Sequence, residues 1–243
     1  RRPVSGELEL EEARAVLDQG LYWTEYQPLL ETRSERVIGY EALARFQHTD
    51  GSAISTGVMF GILHADPGLL ARAELALKRI QLARAPAGEL FVNLDPDCWV
   101  RAGAGEANPF LALLSSSPVR LVVELIEHMR AADAVLARQV ATTLRRRGIP
   151  IALDDIGAVD ALVSFSEVAE AEVLKFDRSV LGRLANRRHR ALVEALIRMA
   201  RANGTRTVLE GVETTQDLAS ARDLGVDLVQ GFLFAERHIT TRQ

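Results

Sequence analysis

Eight polar residues fall at or just beyond short apolar runs: Glu41 inside Val37–Ala42, Asn93 after Leu90-Phe91-Val92, Glu124 after Leu121-Val122-Val123, and Asp154-Asp155 after Ile151-Ala152-Leu153. Lys175 lies inside Val173–Phe176, Glu210 follows Val208-Leu209, and Gln230 follows Leu228-Val229. From Asn93 onward these positions are spaced 20 to 35 residues apart, room for one helix and its turns, so each belongs to a different strand. Taken singly, a carboxylate or amide after a strand is an ordinary helix N-cap. Lys175 alone could pair with Asp177 or Glu172 on the surface. If the strand ends share one mouth, however, five carboxylates, the Asn93 amide and one lysine converge, with Gln230 beside them. Such charges repel unless protonated or neutralised by cations. An all-oxygen donor set suits a hard divalent ion, Mg²⁺ or Mn²⁺. Two such ions bridged by a shared aspartate activate water and stabilise charge in phosphodiester hydrolysis.

The elements that would position these residues alternate through the chain. The strand candidates are Trp23–Gln27, Val37–Ala42, Glu89–Asn93, Leu121–Leu125, Pro150–Leu153, Val173–Phe176, Thr205–Leu209 and Asp227–Phe232. Between them, Leu70–Ala85, Ala132–Arg147, Ala191–Ala202 and Thr215–Leu224 carry apolar residues three to four apart, the period of an amphipathic helix. Pro86, Gly148-Ile149-Pro150 and Gly225 punctuate the turns. This alternation predicts a parallel sheet with helices outside, either a closed barrel or an open doubly wound sheet. No GxGxxG or GxxxxGK[ST] follows a strand, which removes support from the common nucleotide-binding forms of the open sheet. In a barrel, the C-terminal strand ends form the active-site mouth.

Composition narrows the field further. The chain has 243 residues, 48% hydrophobic and 26% charged, the balance of a globular protein with a sizeable core. A net charge of −4 argues against a DNA- or RNA-coating role. The Arg187-Arg188-His189-Arg190 cluster and the Arg145–Arg147 run are expected to be solvated helix ends. Cys98 is the single cysteine, which excludes a disulfide framework and fits a reducing compartment. No apolar run is long enough to span a bilayer, so no membrane segment is expected. The chain starts at Arg1, so a regulatory domain N-terminal to it is an open expectation. With no linker dividing it, residues 1–243 read as one domain.

Glu41-Ala42-Leu43-Ala44-Arg45 resembles the signature of the EAL domain family, the bacterial cyclic-di-GMP phosphodiesterases. Tyr26-Gln27-Pro28, Val92-Asn93-Leu94, Glu124-Leu125-Ile126-Glu127, Asp154-Asp155-Ile156-Gly157, Lys175-Phe176-Asp177, Glu210-Gly211-Val212-Glu213 and Gln230-Gly231-Phe232 resemble its other motifs, in the family's order, over about residues 20 to 235. The resemblance implies a TIM-like (β/α)8 barrel with one antiparallel strand. It implies that Glu41, Asn93, Glu124 and Asp154 hold a first Mg²⁺ or Mn²⁺, and that Asp154, Asp155 and Glu210 serve a second. Lys175 would hold the hydrolytic water, Glu210 is the family's candidate base, and Gln230 would orient the network. Gln27, Leu43, Arg45 and Gln230 would meet the substrate, which hydrolysis opens to linear pGpG. A homodimer and a bacterial cytoplasmic location are further expectations.

The sequence departs from the family where the family usually continues T-G-Y-S-S-L. Here Ala158-Val159-Asp160-Ala161-Leu162-Val163 follows Gly157. Glu127 would anchor that loop, but the hydroxyl and glycine groups it would hold are gone. The family's proline after Q-G-Y is also missing from Phe234-Ala235-Glu236-Arg237, and prolines are absent after Arg45. Two readings follow: a working phosphodiesterase, slowed by its loop, or a cyclic-di-GMP receptor or protein-interaction module on a preserved site.

Overall fold

The computed structural model describes residues 9–103, 105–125, 131–158 and 164–242. Ten strands are present among them: β1 (Tyr22–Glu31), β2 (Val37–Gln47), β3 (Ala53–Ile54), β4 (Glu89–Leu94), β5 (Arg120–Leu125), β6 (Ile151–Ile156), β7 (Val173–Phe176), β8 (Arg206–Leu209), β9 (Leu228–Val229) and β10 (Ile239–Thr240). Eight of them close a ring in the order β1-β2-β4-β5-β6-β7-β8-β9 and back to β1. Closure excludes the open sheet. Every pairing from β2 round to β9 is parallel, while β1 runs antiparallel to both its neighbours. The antiparallel strand is therefore the first. β3 and β10 add short antiparallel extensions to β2 and β1.

All eight expected strands exist, but β1 runs on from Gln27 to Glu31, β2 runs on from Ala42 to Gln47, and two later strands differ as well. β6 continues through Asp154 and Asp155 to Ile156 rather than ending at Leu153. β9 is only Leu228–Val229; Gln230 lies just past it, and Phe232 opens a 3-10 turn.

Side chains alternate across each strand, and that period of two builds the interior in layers. Leu29, Phe91, Val122, Ala152, Val173, Val208 and Leu228, one from each of seven barrel strands, form a single apolar cluster. The residues between them along the strands, such as Leu90, Val92, Leu174 and Val229, instead pack outward against the helices in two larger cores. Helix ends are fixed by side chains: Asp66 caps Pro67–Ala83, Asp95 caps Pro96–Arg101, and Thr214 forms a capping box with Asp217 at Thr215–Leu224. The four expected helices appear as Pro67–Ala83, Ala131–Arg145, Arg187–Asn203 and Thr215–Leu224. Among the described residues, no helix is long and apolar enough to cross a membrane.

The basic runs are less uniformly solvated than expected. Arg145 is partly buried and fixed by Glu172, which also accepts a hydrogen bond from Ile151 N.

Candidate active site

Two residues toward the mouth from each member of the apolar cluster stands a polar residue: Gln27 above Leu29, Asn93 above Phe91, Glu124 above Val122, Asp154 above Ala152, Lys175 above Val173, Glu210 above Val208 and Gln230 above Leu228. Alternation turns each of them inward as well, one layer higher. β1 contributes in reverse order because it is antiparallel, and its register sets Gln27 opposite Glu41. These residues are therefore not helix caps. The caps are other residues, such as Asp95 and Thr214.

Lys175 is fully buried at the centre of this layer. Its Nζ lies 2.7 Å from Glu124 Oε1, 2.7 Å from Glu210 Oε1, 3.0 Å from Asp154 Oδ1 and 3.4 Å from Glu41 Oε2. The surface pairing with Asp177 or Glu172 does not occur, since Lys175 points inward and Glu172 belongs to Arg145. Burial by itself would weaken the lysine's hold on its proton. The four carboxylates outweigh this and raise its pKa well above the usual lysine value.

The carboxylates respond differently according to their partners. Burial, reinforced by Glu41, pushes Glu124 well above the ordinary carboxylate range. Burial also raises Glu210, to about 8, with Asp154 and Glu41 adding to the effect against Lys175. Burial acts on Glu41 too, but Lys175 and the hydrogen bonds from Gln230 and Asn93 overcome it, so its pKa falls. Those bonds are Gln230 Nε2 to Glu41 Oε2 at 2.7 Å and Asn93 Nδ2 to Glu41 Oε1 at 3.1 Å. Gln230 Nε2 also reaches Gln27 Oε1 at 3.3 Å. Gly231 permits this placement, because a Cβ there would fall 2.2 Å from the Val212 carbonyl oxygen.

Adjacent residues in a regular strand face opposite ways, yet Asp154 and Asp155 both serve the mouth. The ladder between β6 and β7 is irregular between Leu153 and Ile156, and Asp155 takes φ of 54°. A bulge with a left-handed non-glycine residue re-aims side chains at the cost of local strain. As a result, carboxylate oxygens of Asp154, Asp155 and Glu210 lie within 4.8 Å of one another, a grouping able to hold a metal ion. Burial and the charge of Asp154 raise the Asp155 pKa.

A divalent ion fits the donor set on independent grounds. Neither oxygen of Glu124 receives an aligned hydrogen bond, despite full burial and the nearby lysine. Asp154 Oδ1, 3.0 Å from the same ammonium, likewise receives no aligned hydrogen bond. Buried acceptors rarely lack partners. All donors are oxygens, as Mg²⁺ or Mn²⁺ prefer.

A cavity of about 260 Å³ opens over this layer, lined by Gln27, Glu41, Asp154, Glu210 and Gln230. Sequence reasoning left Arg178 unnoticed there, and it placed Phe232 in a strand, whereas it stands exposed at the rim. Asp177 and Glu213 line the same cavity, and the motifs Lys175-Phe176-Asp177 and Glu210-Gly211-Val212-Glu213 were their only signal. Leu43 and Arg45 share the inward face of β2 with Glu41, farther along the strand. Arg45 is not free: Nε and Nη2 donate to Glu25 at 3.1 and 3.2 Å, a bidentate pair. Glu25 also takes contacts from Gln27 and His238. Glu127 and residues 159–163 lie outside the described residues.

The sequence matches the model of the EAL domain over residues 9–237. The chain belongs to the EAL domain family. Among EAL relatives, the cyclic di-GMP phosphodiesterase NbdA of Pseudomonas aeruginosa is 28% identical over 93% of this chain and 30% of its own length. The P. aeruginosa MucR phosphodiesterase, solved with cyclic-di-GMP, superposes with a TM-score of 0.68 at 27% identity, covering 92% of this chain and 94% of that one. Klebsiella pneumoniae BlrP1, solved with manganese and cyclic-di-GMP, gives a TM-score of 0.72 at 25% identity, covering 88% of this chain and 55% of that one. The chain spans about a third of the length of the first curated relatives it matches.

Proposed function

We propose that this EAL domain is a metal-dependent phosphodiesterase that hydrolyses cyclic-di-GMP to linear pGpG. The observation carrying this reading is the convergence of Glu41, Glu124, Asp154 and Glu210 on one buried Nζ, with Asp155 turned to the same mouth. Glu41, Asn93, Glu124 and Asp154 would hold one divalent ion, and Asp154, Asp155 and Glu210 a second. The ions supply water activation and neutralise charge at the phosphate. Lys175, kept protonated by its neighbours, orients the attacking water and offsets negative charge as the phosphate approaches. Gln230 and Asn93 fix the Glu41 carboxylate. Glu210 would accept a proton from the water when the ions replace its own. Gln27 and Arg45 reach the substrate, Arg45 through a phosphate once it leaves Glu25. Water adds to phosphorus, the bridging P–O bond breaks with its electron pair going to the ribose oxygen, and that oxygen takes up a proton to become a hydroxyl, giving pGpG.

Incubation with cyclic-di-GMP and Mn²⁺ or Mg²⁺, against an EDTA control, is the decisive experiment, with pGpG followed by chromatography. Metal-dependent pGpG is expected. A receptor that binds without cleaving is the second reading, favoured by the substituted segment after Gly157; intact nucleotide with measurable binding would establish it instead.

A further inference from the structure

The alternation that builds the mouth also builds the opposite end of the barrel. Two residues below the apolar cluster stand Glu31 under Leu29, Glu89 under Phe91, Arg120 under Val122 and Arg206 under Val208. They open onto a cavity of about 750 Å³, larger than the one at the mouth. Six arginines line it: Arg33, Arg36, Arg120, Arg201, Arg206 and Arg222. We infer that this basal cleft is a binding site for a small polyanion carrying two or more linked phosphates.

Part of the basic character is structural. Arg201 and Arg222 sit in the last turns of their helices, where a cation offsets the macrodipole. Arg201 Nη2 donates to Gly225 O at 2.9 Å, and Arg222 donates to Thr32 O at 3.1 Å and to Glu35 at 2.7 Å. The other four arginines are not accounted for in this way. Glu89 alone serves both Arg120 and Arg206. The guanidinium groups of Arg33 and Arg36 have no hydrogen-bond or ion-pair partner among the described residues. Asp227 is committed to Thr207 N and Oγ1, both at 2.8 Å, and Glu31 to Ser34 Oγ. Six arginines thus face four carboxylates (Glu31, Glu35, Glu89 and Asp227) in a chain whose net charge is −4. The wall also holds Thr32, 1% exposed, whose Oγ1 is buried without a partner.

The shape and chemistry select the ligand. The cavity lies within the range of small-molecule pockets rather than flat protein interfaces. Planar guanidinium forks match phosphate oxygens bidentately. The arginines come from the β1–β2 turn, from the starts of β5 and β8 and from two helix ends, so they line the cleft from separate elements, and a cavity of about 750 Å³ has room for several linked phosphates. Strand starts hold Arg120 and Arg206 on rigid elements.

Calorimetry on the intact chain in EDTA tests this, with inorganic tripolyphosphate, ATP and orthophosphate as probes. Saturable 1:1 binding of tripolyphosphate, ATP or both is expected, stronger than that of orthophosphate and weakening as salt is added. An ATP affinity well above that of tripolyphosphate would identify a nucleotide as the source; equal affinities would identify the phosphate chain alone. The exposed pair of changes Arg33→Ala and Arg36→Ala should weaken binding by about tenfold or more, because each removes charge-assisted hydrogen bonds. Arg120→Ala provides an independent loss from another element. Absence of saturable binding, undiminished binding in the double variant with an unchanged melting curve, or binding of an oligoglutamate peptide but of neither polyphosphate would overturn the inference.

Discussion

Lys175 Nζ and Glu124 Oε1 lie 2.7 Å apart, and solvent reaches neither side chain. A buried pair of this kind is sensitive to loss of one member, because the survivor stays desolvated. Lys175→Met should therefore destabilise the metal-free protein by about 3–5 kcal/mol, a drop of roughly 10 °C in Tm for a chain of this size. Mn²⁺ should recover much of that loss by taking over the neutralising charge. Melting curves in EDTA and in Mn²⁺ test both halves, and equal curves for the two proteins in EDTA would contradict the pairing.

Asp154 is shared by both proposed ion sites. Asp154→Asn should abolish pGpG formation while leaving the fold intact, since the amide replaces the carboxylate with little change in shape. Retained turnover at saturating metal would sink the two-ion assignment. Glu41→Ala should behave in the same way.

Glu124, Asp155 and Glu210 have pKa values above their ordinary ones in the metal-free protein. A raised carboxylate binds a proton in the folded state that the unfolded chain has released. Its contribution is complete below the unfolded value near 4.5 and disappears as pH rises through the folded one, about 8 for Glu210. Glu41, shifted down, acts oppositely and only at acid pH. In EDTA the urea midpoint should therefore fall as pH rises from about 5, just above the unfolded value, to about 9, just above the folded one. Excess Mn²⁺ should flatten that slope, because cations replace the protons.

Arg45 is engaged by Glu25 through two hydrogen bonds. Substrate phosphate must compete with that carboxylate. Glu25→Ala should lower the KM for cyclic-di-GMP several-fold with little change in kcat. An unchanged KM would mean that Arg45 does not meet the phosphate.

The segment after Gly157 departs from its family. Val159→Gly with Ala161→Ser and Leu162→Ser should raise turnover if that segment limits the rate. Unaltered turnover would move attention to the proline-poor stretch after Gln230.

Polar residues at the ends of apolar runs made much of this legible in advance. Each barrel strand announces itself as an apolar run, and Asn93, Glu124 and Glu210 each close one, so they were visible as a set; that they also share one inward layer came only from the closed ring. Asp155 was noticed by its place after Leu153, but its re-aiming was not, because a bulge leaves no mark on the hydrophobic pattern and φ of 54° is a tertiary outcome. The shortness of β9 was hidden because Asp227–Phe232 is apolar enough to extend, whereas Gly231 and the Val212 backbone stop it. Glu25 drew no notice because an acid on a strand carries no sign of its partner 20 residues away. The basal arginines are scattered from 33 to 222, and only closure of the ring gathers them.

The ring closes between the first strand and the last: Leu30 pairs with Val229, and Glu31 with Leu228. Nearly the whole chain separates those partners, so among the pairings of the ring this seam carries the largest loop-closure entropy and is expected to form late. During synthesis β1 emerges first and waits, paired only with β2, until β9 leaves the ribosome. Glu41 receives its hydrogen bond from Gln230 only then. A prematurely ended chain thus has most of the acidic residues but lacks the site they make.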